Sequence, residues 1–257
     1  MSRLHLTFEA ADTTLAGTLD TAAGASGLLL VSGGNEVRSG AFSGQAALAA
    51  RIAAAGFPVF RFDRRGVGDS GGENKGFRKS GKDIASALAA FRVIAPNVHR
   101  VVGFGNCDAA SALMLARGAE CDAVVLSNPW TIEGDDTTPP PAAVRARYAE
   151  KLKNPREVVR LLTGGVNLGK LARGIVQAGR RDAARTSLAD EMAAGLASFE
   201  GPVRILLAGA DRTAQVFSGN WDAGDTRIAR CEGAGHAWGE PHARDFLDRH
   251  LIEMLRG

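Results

Sequence analysis

Cysteine is scarce in this 257-residue sequence, which contains three: Cys107, Cys121 and Cys231. They are odd in number and far apart, so they fit neither a disulfide framework nor a CxxC metal site. Long apolar runs are missing too, because no window approaches the ~18 apolar residues of a membrane helix. The first residues also lack the apolar stretch of a signal peptide. Together these absences predict a protein of the reducing cytoplasm with no transmembrane segment.

Charge of one sign is not in large excess either. The net charge of +3 gives no reason to expect a nucleic-acid partner. Apolar residues make up 45% and charged residues 23% of the chain, which is ordinary for a globular protein with a sizeable core. The length suits one α/β domain with an insertion.

Strand and helix patterns alternate along the chain. Two alternating stretches near the N-terminus predict antiparallel strands, and the later, continuously apolar runs predict strands that are buried on both faces. This order predicts an α/β fold with a mostly parallel, eight-stranded sheet and helices on both faces. The predicted strands are 4–8, 15–19, 27–31, 58–62, 100–104, 123–126, 203–208 and 226–229, and the predicted helices are 42–55, 82–94, 108–117 and 244–255.

About 75 residues separate two of these strands, far more than one crossover connection needs. We interpret residues 130–195 as a helical cap insertion in a core formed by 1–129 and 196–257. Between residues 142 and 188 it has eleven Lys and Arg residues against three acidic ones. The simplest interpretation is a solvated helical face; an anionic substrate and an anionic membrane surface are the alternatives.

The strongest chemical signal is the segment Gly105-Asn106-Cys107-Asp108-Ala109. It follows a predicted strand, begins a predicted helix and has small residues two positions before and after the cysteine. This is the pattern of a nucleophile elbow, in which small neighbours let a strained strand-to-helix turn close. A helix N-terminus also favours a thiolate. The alternative is that Cys107 is an inert buried cysteine.

A cysteine nucleophile needs a base and a carboxylate that orients the base. In the fold that uses such elbows, the chain order is nucleophile, acid, base. Asp211 follows the apolar strand 203–208, and His236 ends a small-residue loop after the next strand. Each alone could be an ordinary turn or loop residue. In this order they predict a triad of Cys107, Asp211 and His236.

Backbone amides should complete the site as an oxyanion hole. The N–H of Asp108, next after the nucleophile, is one candidate, and the loop Ser32-Gly33-Gly34-Asn35 supplies the other. We predict Gly34 as the second donor, with Asn35 in reserve. The residues expected to contact substrate are Asn35, Trp130, Arg147 and Trp238. No metal and no organic cofactor are expected.

A second glycine-rich segment, residues 61–70, follows the fourth strand. We interpret it as a structured turn in which Asp63 pairs with Arg65 and Ser70 caps the segment. A phosphate-binding role is disfavoured because the Lys-Ser/Thr of a P-loop is missing.

Several of these motifs together resemble a family. The residues are 105–111 around the cysteine, Ser-Asn-Pro-Trp at 127–130, Arg147-Tyr148 with the basic stretch through 162–165, and 209–214 around Asp211. They resemble the exosortase A system-associated hydrolases, bacterial α/β hydrolases encoded near exopolysaccharide and protein-sorting genes. The resemblance covers most of the chain and implies an α/β-hydrolase fold with hydrolase chemistry, but no substrate. Dienelactone hydrolases are similar only in fold and triad.

One departure from the family pattern lies beside Asp211. The chain has Ala-Gly-Ala-Asp-Arg-Thr-Ala where Ser-Gly-Asn-Asp is expected before Thr-Ala. The aspartate is kept, so the predicted triad is unaffected.

The predicted function is therefore hydrolysis of an ester or thioester of a small-molecule acyl substrate, anionic if the basic cap faces the cleft. An acyltransferase and an aminopeptidase-like hydrolase could use the same triad, and a non-catalytic binding protein could keep the fold. A dehalogenase needs a carboxylate nucleophile, and Asp108 is one residue out of register for that role. The sequence leaves the acyl group, the leaving group and the oligomeric state open.

Overall fold

A computed structural model describes residues 2–133 and 186–257. Their strands form one eight-stranded sheet in the order β1-β2-β4-β3-β5-β6-β7-β8. The strands are β1 (Arg3–Ala10), β2 (Thr13–Asp20), β3 (Ser26–Val31), β4 (Val59–Phe62), β5 (Arg100–Asn106), β6 (Ala123–Ser127), β7 (Val203–Ala208) and β8 (Ile228–Cys231).

Strand direction follows the sequence pattern. The hairpin β1–β2 is antiparallel, and β2 is antiparallel to β4. The other six strands of the sheet run parallel to one another, in the order β4, β3, β5, β6, β7 and β8. Because parallel strands end at the same edge, the loops after β3, β5, β7 and β8 share one end of the sheet. This topology confirms the predicted mostly parallel, eight-stranded sheet.

Helices cover both faces of the sheet. In the described ranges they are α1 (Gly44–Ala54), α2 (Gly81–Ile94), α3 (Asp108–Leu115), α4 (Ser187–Ala197), α5 (Arg212–Asn220) and α6 (Pro241–Arg256). One apolar layer contains buried residues of α2, α3, α4 and α5, and the other contains those of α1 and α6. The predicted two-sided packing is thereby confirmed.

Two helices, α4 and α5, had no counterpart among the predicted core helices. Helix α4 begins after Thr186, whose hydroxyl accepts the Ala189 N–H, and it buries Leu188 and Met192 in the same layer as α3. Residues 187–195 of the proposed insertion therefore pack against α3 in the layer on that face of the sheet. Residues 134–185 lie outside the described ranges, so the cap and its boundaries at 130 and 195 stay predictions.

The glycine-rich turn after β4 differs from the prediction in its ion pairs. The Asp63 carboxylate pairs with Arg38 and accepts the N–H of Asp69. Arg65 pairs instead with Asp83 and Asp12, and these contacts raise its pKa above its usual range. The predicted Asp63–Arg65 pair is wrong because the turn closes around Asp63 and leaves Arg65 against α2.

None of the helices in the described ranges is long and apolar enough to cross a membrane.

Candidate active site

Cys107 lies in the turn between β5 and α3. Its φ of 62° and ψ of −127° are unusual for a non-glycine residue and cost on the order of 1–3 kcal/mol. Hydrogen bonds hold this conformation: the Cys107 N–H donates to Ser127 O at 2.9 Å, and Cys107 O accepts the N–H of Ala110 at 3.1 Å. The side chain is partly exposed. This is the geometry predicted for a nucleophile elbow.

The small residues around the cysteine have a steric cause. A Cβ on Gly105 would lie 2.6 Å from Ala109 C and 2.7 Å from Ala110 N. A Cβ on Gly33 would lie 2.8 Å from Asn106 O. Backbone atoms cannot yield as a flexible side chain does, so both positions require glycine.

His236 and Asp211 meet at the same end of the sheet. His236 Nδ1 lies 2.9 Å from Asp211 Oδ2. Asp211 is the N-cap of α5, and its carboxylate also accepts the N–H groups of Thr213 and Ala214. With Nδ1 bound to Asp211, Nε2 is the ring nitrogen left for Cys107.

The electrostatics of this group of three favour a charged imidazole. Hydrogen bonds with Asp211 and then with Cys107 raise the pKa of His236 to about 10, against an opposing effect of burial. The three residues named from the sequence are therefore brought together, with His236 between a carboxylate and a thiol.

A largely buried polar network that sequence reasoning missed supports the histidine loop, residues 232–240 between β8 and α6. The Asn106 side chain donates to His236 O at 3.2 Å and accepts from the hydroxyl of Ser127 at 2.8 Å and from Asn128 at 3.1 Å. The Trp238 indole N–H also donates to Ser127 Oγ at 2.8 Å. The segment 127–130 was noted only for its family resemblance; polar residues at the end of a buried strand were the available signal.

The Gly34 N–H, which was predicted as an oxyanion-hole donor, already has a hydrogen-bond acceptor in this structure. It donates to Asp108 Oδ1 at 2.6 Å, so the amide already serves a carboxylate. The buried Arg64 contacts Asp108 Oδ2 at 3.3 Å and also donates to Gly34 O. The N–H of Asp108 itself lies in the first turn of α3, where helical geometry leaves amides without an intrahelical partner. A substrate oxygen would therefore have to replace the Asp108 carboxylate at Gly34.

The four expected substrate contacts have different surroundings. Asn35 is exposed, and its side chain accepts from Asn74 at 2.8 Å. Trp130 is half-buried, with its indole N–H on Ile132 O. Trp238 is buried and stacks on Phe246. Arg147 lies outside the described residues.

A cavity of about 340 Å³ opens beside the histidine. It lies between α1 and α6, and His236, Asn106 and Trp238 are among its lining residues. Trp238 therefore packs in the core and also forms part of the cavity wall, where it could contact a substrate.

The other two cysteines have a different environment. Cys121 is 5% exposed and Cys231 is 7% exposed. Burial raises the pKa of the Cys121 thiol to about 12 and also raises the pKa of Cys231.

This arrangement defines the class: an α/β sheet that presents a cysteine on a strained strand-to-helix turn, a histidine and a carboxylate at one end. The family comparison agrees, because the model of the alpha/beta hydrolase family matches residues 28–249. The chain therefore belongs to the alpha/beta hydrolase family.

Solved structures share the fold at low sequence identity. The esterase Pf2001 of Pyrococcus furiosus is 15% identical with a TM-score of 0.65, over 99% of this chain and 91% of that one. The alpha/beta hydrolase GrgF from Penicillium sp. sh18 is 19% identical with a TM-score of 0.62, over 100% and 99%. XC6422 from Xanthomonas campestris, described as an a/b serine hydrolase without lid, is 14% identical with a TM-score of 0.57, over 100% and 94%. No curated protein sequence matches the chain significantly.

These comparisons confirm the expected α/β-hydrolase fold and the broad class of hydrolase. They do not extend to the narrower resemblance to exosortase-associated hydrolases, which stays a prediction. XC6422 is named as a serine hydrolase, whereas this chain has cysteine in its elbow, so cysteine chemistry is a matter for proposal.

Proposed function

We propose that this protein hydrolyses an ester or thioester of a small-molecule acyl substrate with Cys107 as nucleophile. The observation that carries the proposal is His236, which is hydrogen-bonded to Asp211 at 2.9 Å and whose pKa is raised to about 10 by Asp211 and Cys107. An imidazolium at neutral pH favours a thiolate beside it, and a thiolate is the reactive form of cysteine.

Acylation begins when the Cys107 sulfur attacks the substrate carbonyl carbon. A carbon–sulfur bond forms, and the carbonyl π electrons move to the oxygen. When the tetrahedral intermediate collapses, the bond to the leaving oxygen or sulfur breaks and His236 donates its proton to that atom. The products of this half are an alcohol or thiol and an acyl-Cys107 thioester.

In deacylation His236 acts as a general base, whereas in acylation it acts as a general acid. The imidazole, now neutral, accepts a proton from water as the water oxygen attacks the thioester carbonyl. Collapse releases the carboxylic acid and the Cys107 thiolate. Asp211 keeps Nδ1 protonated throughout, so that Nε2 carries out both transfers.

The oxyanion would be bound by the N–H of Asp108 and, once Asp108 Oδ1 has moved away, by the N–H of Gly34. Asn35, which follows on the same exposed loop, is the reserve donor. The triad and backbone amides suffice for this chemistry without a metal or an organic cofactor.

Acyl transfer to an acceptor other than water is the second candidate. The supporting feature is the cysteine itself, because an acyl thioester is activated toward amines, alcohols and thiols. An aminopeptidase-like substrate and a non-catalytic role are outcomes that the following experiment separates.

The test compares wild type with Cys107→Ala on p-nitrophenyl esters, acyl thioesters and aminoacyl amides. We expect ester or thioester turnover that Cys107→Ala abolishes and that Cys231→Ala, a matched control cysteine, keeps. Intact-mass spectrometry after a brief reaction should show an acyl adduct on Cys107. Aminoacyl amides as the only substrates would indicate the peptidase branch, and turnover that survives Cys107→Ala would refute the nucleophile.

A further inference from the structure

The cavity of about 340 Å³ beside His236 has an apolar floor. Its volume lies in the range of small-molecule sites, which are mostly apolar with a few polar groups. Floor residues come from β3, α1, β5, the histidine loop and α6, and all are buried: Val31, Leu48, Phe104, Trp238 and Leu247.

The two helices that form the cavity walls are held together by an ion pair. Arg51 of α1 binds Asp248 of α6 through two hydrogen bonds, at 2.6 and 2.9 Å. This contact raises the pKa of Arg51 above its usual range. Bidentate pairs of this kind fix geometry as well as charge. The cavity is therefore preformed between braced helices.

The position of the cavity relative to the reacting groups indicates which part of a substrate it would hold. His236 and Asn106 line it, whereas the predicted oxyanion donor Gly34 is outside its lining. In the proposed reaction His236 protonates the leaving atom, so that atom must lie against the imidazole. Whatever is attached to the leaving atom then extends toward the cavity.

We propose that this cavity is the leaving-group subsite and that the alcohol or thiol released from the substrate is apolar. The inference rests on the proposed hydrolase function and specifies its substrate class. Exposed polar residues at the mouth, Glu36 and Arg244, would meet the distal end of a longer leaving group.

Two positions on α1 allow the cavity to be filled without disturbing the core. A Cβ on Gly44 meets no atom within 4 Å, and its backbone is helical with φ of −61°. Ala47 is exposed and also lines the cavity. Ala54 is an exposed alanine of the same helix outside the cavity lining and provides the matched control. The variants are Gly44→Leu, Ala47→Trp and Ala54→Trp.

The experiment uses two ester series with one pH-stat assay. The first varies the alcohol in methyl, butyl and hexyl acetate, and the second varies the acid in methyl acetate, pentanoate and heptanoate. In wild type we expect kcat/KM to rise about tenfold or more from methyl to hexyl acetate, because apolar surface is buried. Gly44→Leu and Ala47→Trp should lose that gain, so that their kcat/KM no longer depends on the length of the alcohol, while Ala54→Trp behaves as wild type.

Inhibition by a free alcohol supplies an independent measurement. In wild type n-hexanol should inhibit methyl acetate hydrolysis competitively, and the two cavity variants should weaken that inhibition. If kcat/KM instead rises with the length of the acid, and the same variants lose that rise, the cavity would be assigned to the acyl group. A flat response to both series would also overturn the leaving-group assignment while the proposed function stands. Failure of wild type to hydrolyse any ester or thioester would overturn the proposed function, and this subsite with it.

Discussion

At the scale of single residues, the three cysteines differ in what surrounds them. Cys107 is partly exposed beside His236, whereas burial raises the pKa of the Cys121 thiol to about 12 and raises that of Cys231. Brief iodoacetamide treatment of native protein at pH 7 should therefore alkylate Cys107 at least about tenfold faster than the other two. Peptide mapping by mass spectrometry gives the three rates. Equal labelling, or a Cys107 that stays unlabelled, would favour a non-catalytic binding protein.

Asp108 is the residue whose structural role differs most from its expected one. Its N–H was predicted to bind the oxyanion, but its carboxylate accepts the Gly34 N–H that should share that task. A negative charge there opposes the charge that develops on the substrate oxygen. Asp108→Asn keeps an acceptor for Gly34 and removes the charge, so kcat/KM for a neutral ester should rise about threefold to tenfold.

The control for this substitution is Asp222→Asn, which removes an exposed carboxylate in the turn after α5. It should leave kcat/KM unchanged. Thermal unfolding of both variants separates chemistry from loop damage, because Arg64 also contacts Asp108. A fall in kcat at unchanged Tm would mean that the carboxylate assists the reaction.

His236 links the site to the pH dependence of stability. Its pKa is raised to about 10 in the folded protein, against about 6.5 for a histidine in an unfolded chain. A raised pKa means that the folded state binds the proton more tightly. The resulting stabilisation is fully present below about pH 6.5 and is lost as pH rises through about 10.

Urea unfolding of wild type and His236→Gln at pH 6, 8 and 10.5 measures this effect. The stability difference between the two proteins should be largest at pH 6 and shrink toward pH 10.5. The control is His242→Gln, since His242 is exposed and contacts the backbone carbonyl of Glu232. A difference that grows with pH would contradict the assigned direction of the shift.

At the scale of elements, the strand–turn–helix unit around Cys107 depends on glycine at its first small position. A Cβ on Gly105 would lie 2.6–2.7 Å from the backbone of Ala109 and Ala110. Gly105→Ala should therefore destabilise the protein by about 2–3 kcal/mol and misalign Cys107. Gly219→Ala on α5 is the matched control, because its Cβ meets nothing within 4 Å and alanine favours a helix. Denaturant unfolding measures the free energy of unfolding of both variants. Equal values would show that the backbone of the turn at Cys107 shifts to accept the added methyl group.

The sequence predicted elements well where the signal is local. The apolar strands and the strand-to-helix turn at Cys107 were found within a few residues, and Asp211 and His236 lie in contact as expected. The catalytic roles of these three residues stay predictions. Helix α5 was missed because Asp211 was interpreted as a triad acid in preference to a turn-forming or capping aspartate, whereas it caps the helix. The same carboxylate accepts the capping N–H groups and binds His236 Nδ1, and spacing alone does not reveal that both contacts occur.

Long-range contacts were beyond sequence reasoning for a different reason. The bond from Asn106 to His236 O joins residues 130 apart, and the Gly34–Asp108 bond joins residues 74 apart. Such pairs depend on the angles at which several elements pack, and neither residue type nor periodicity encodes those angles. The cavity between α1 and α6 belongs to the same category.

At the scale of the whole molecule, charge is distributed unevenly along the chain. Residues 142–188 have eleven basic and three acidic residues, an excess of eight. Since the whole chain has a net charge of +3, the remainder has five more acidic than basic residues. Near neutrality thus conceals one strongly basic segment in a slightly acidic remainder, and a basic segment attracts anions over about a Debye length.

This segregation leads to a prediction about substrate charge. If the basic segment borders the cleft, kcat/KM for an anionic ester such as a hemisuccinate should fall about threefold or more between 20 and 300 mM salt. A neutral ester of the same alcohol should respond little, because its attraction to the protein involves no net charge. Replacing Arg147 and Lys151 together by Gln should give the high-salt value for the anionic ester already at low salt. Arg92→Gln, which removes an exposed cation paired with the exposed Asp122 outside the basic segment, is the control and should leave the salt response intact. Equal salt responses of the two esters would mean that the basic face points away from the cleft. It would then be a solvated helical face, and binding to a membrane or partner surface would be the remaining use for it.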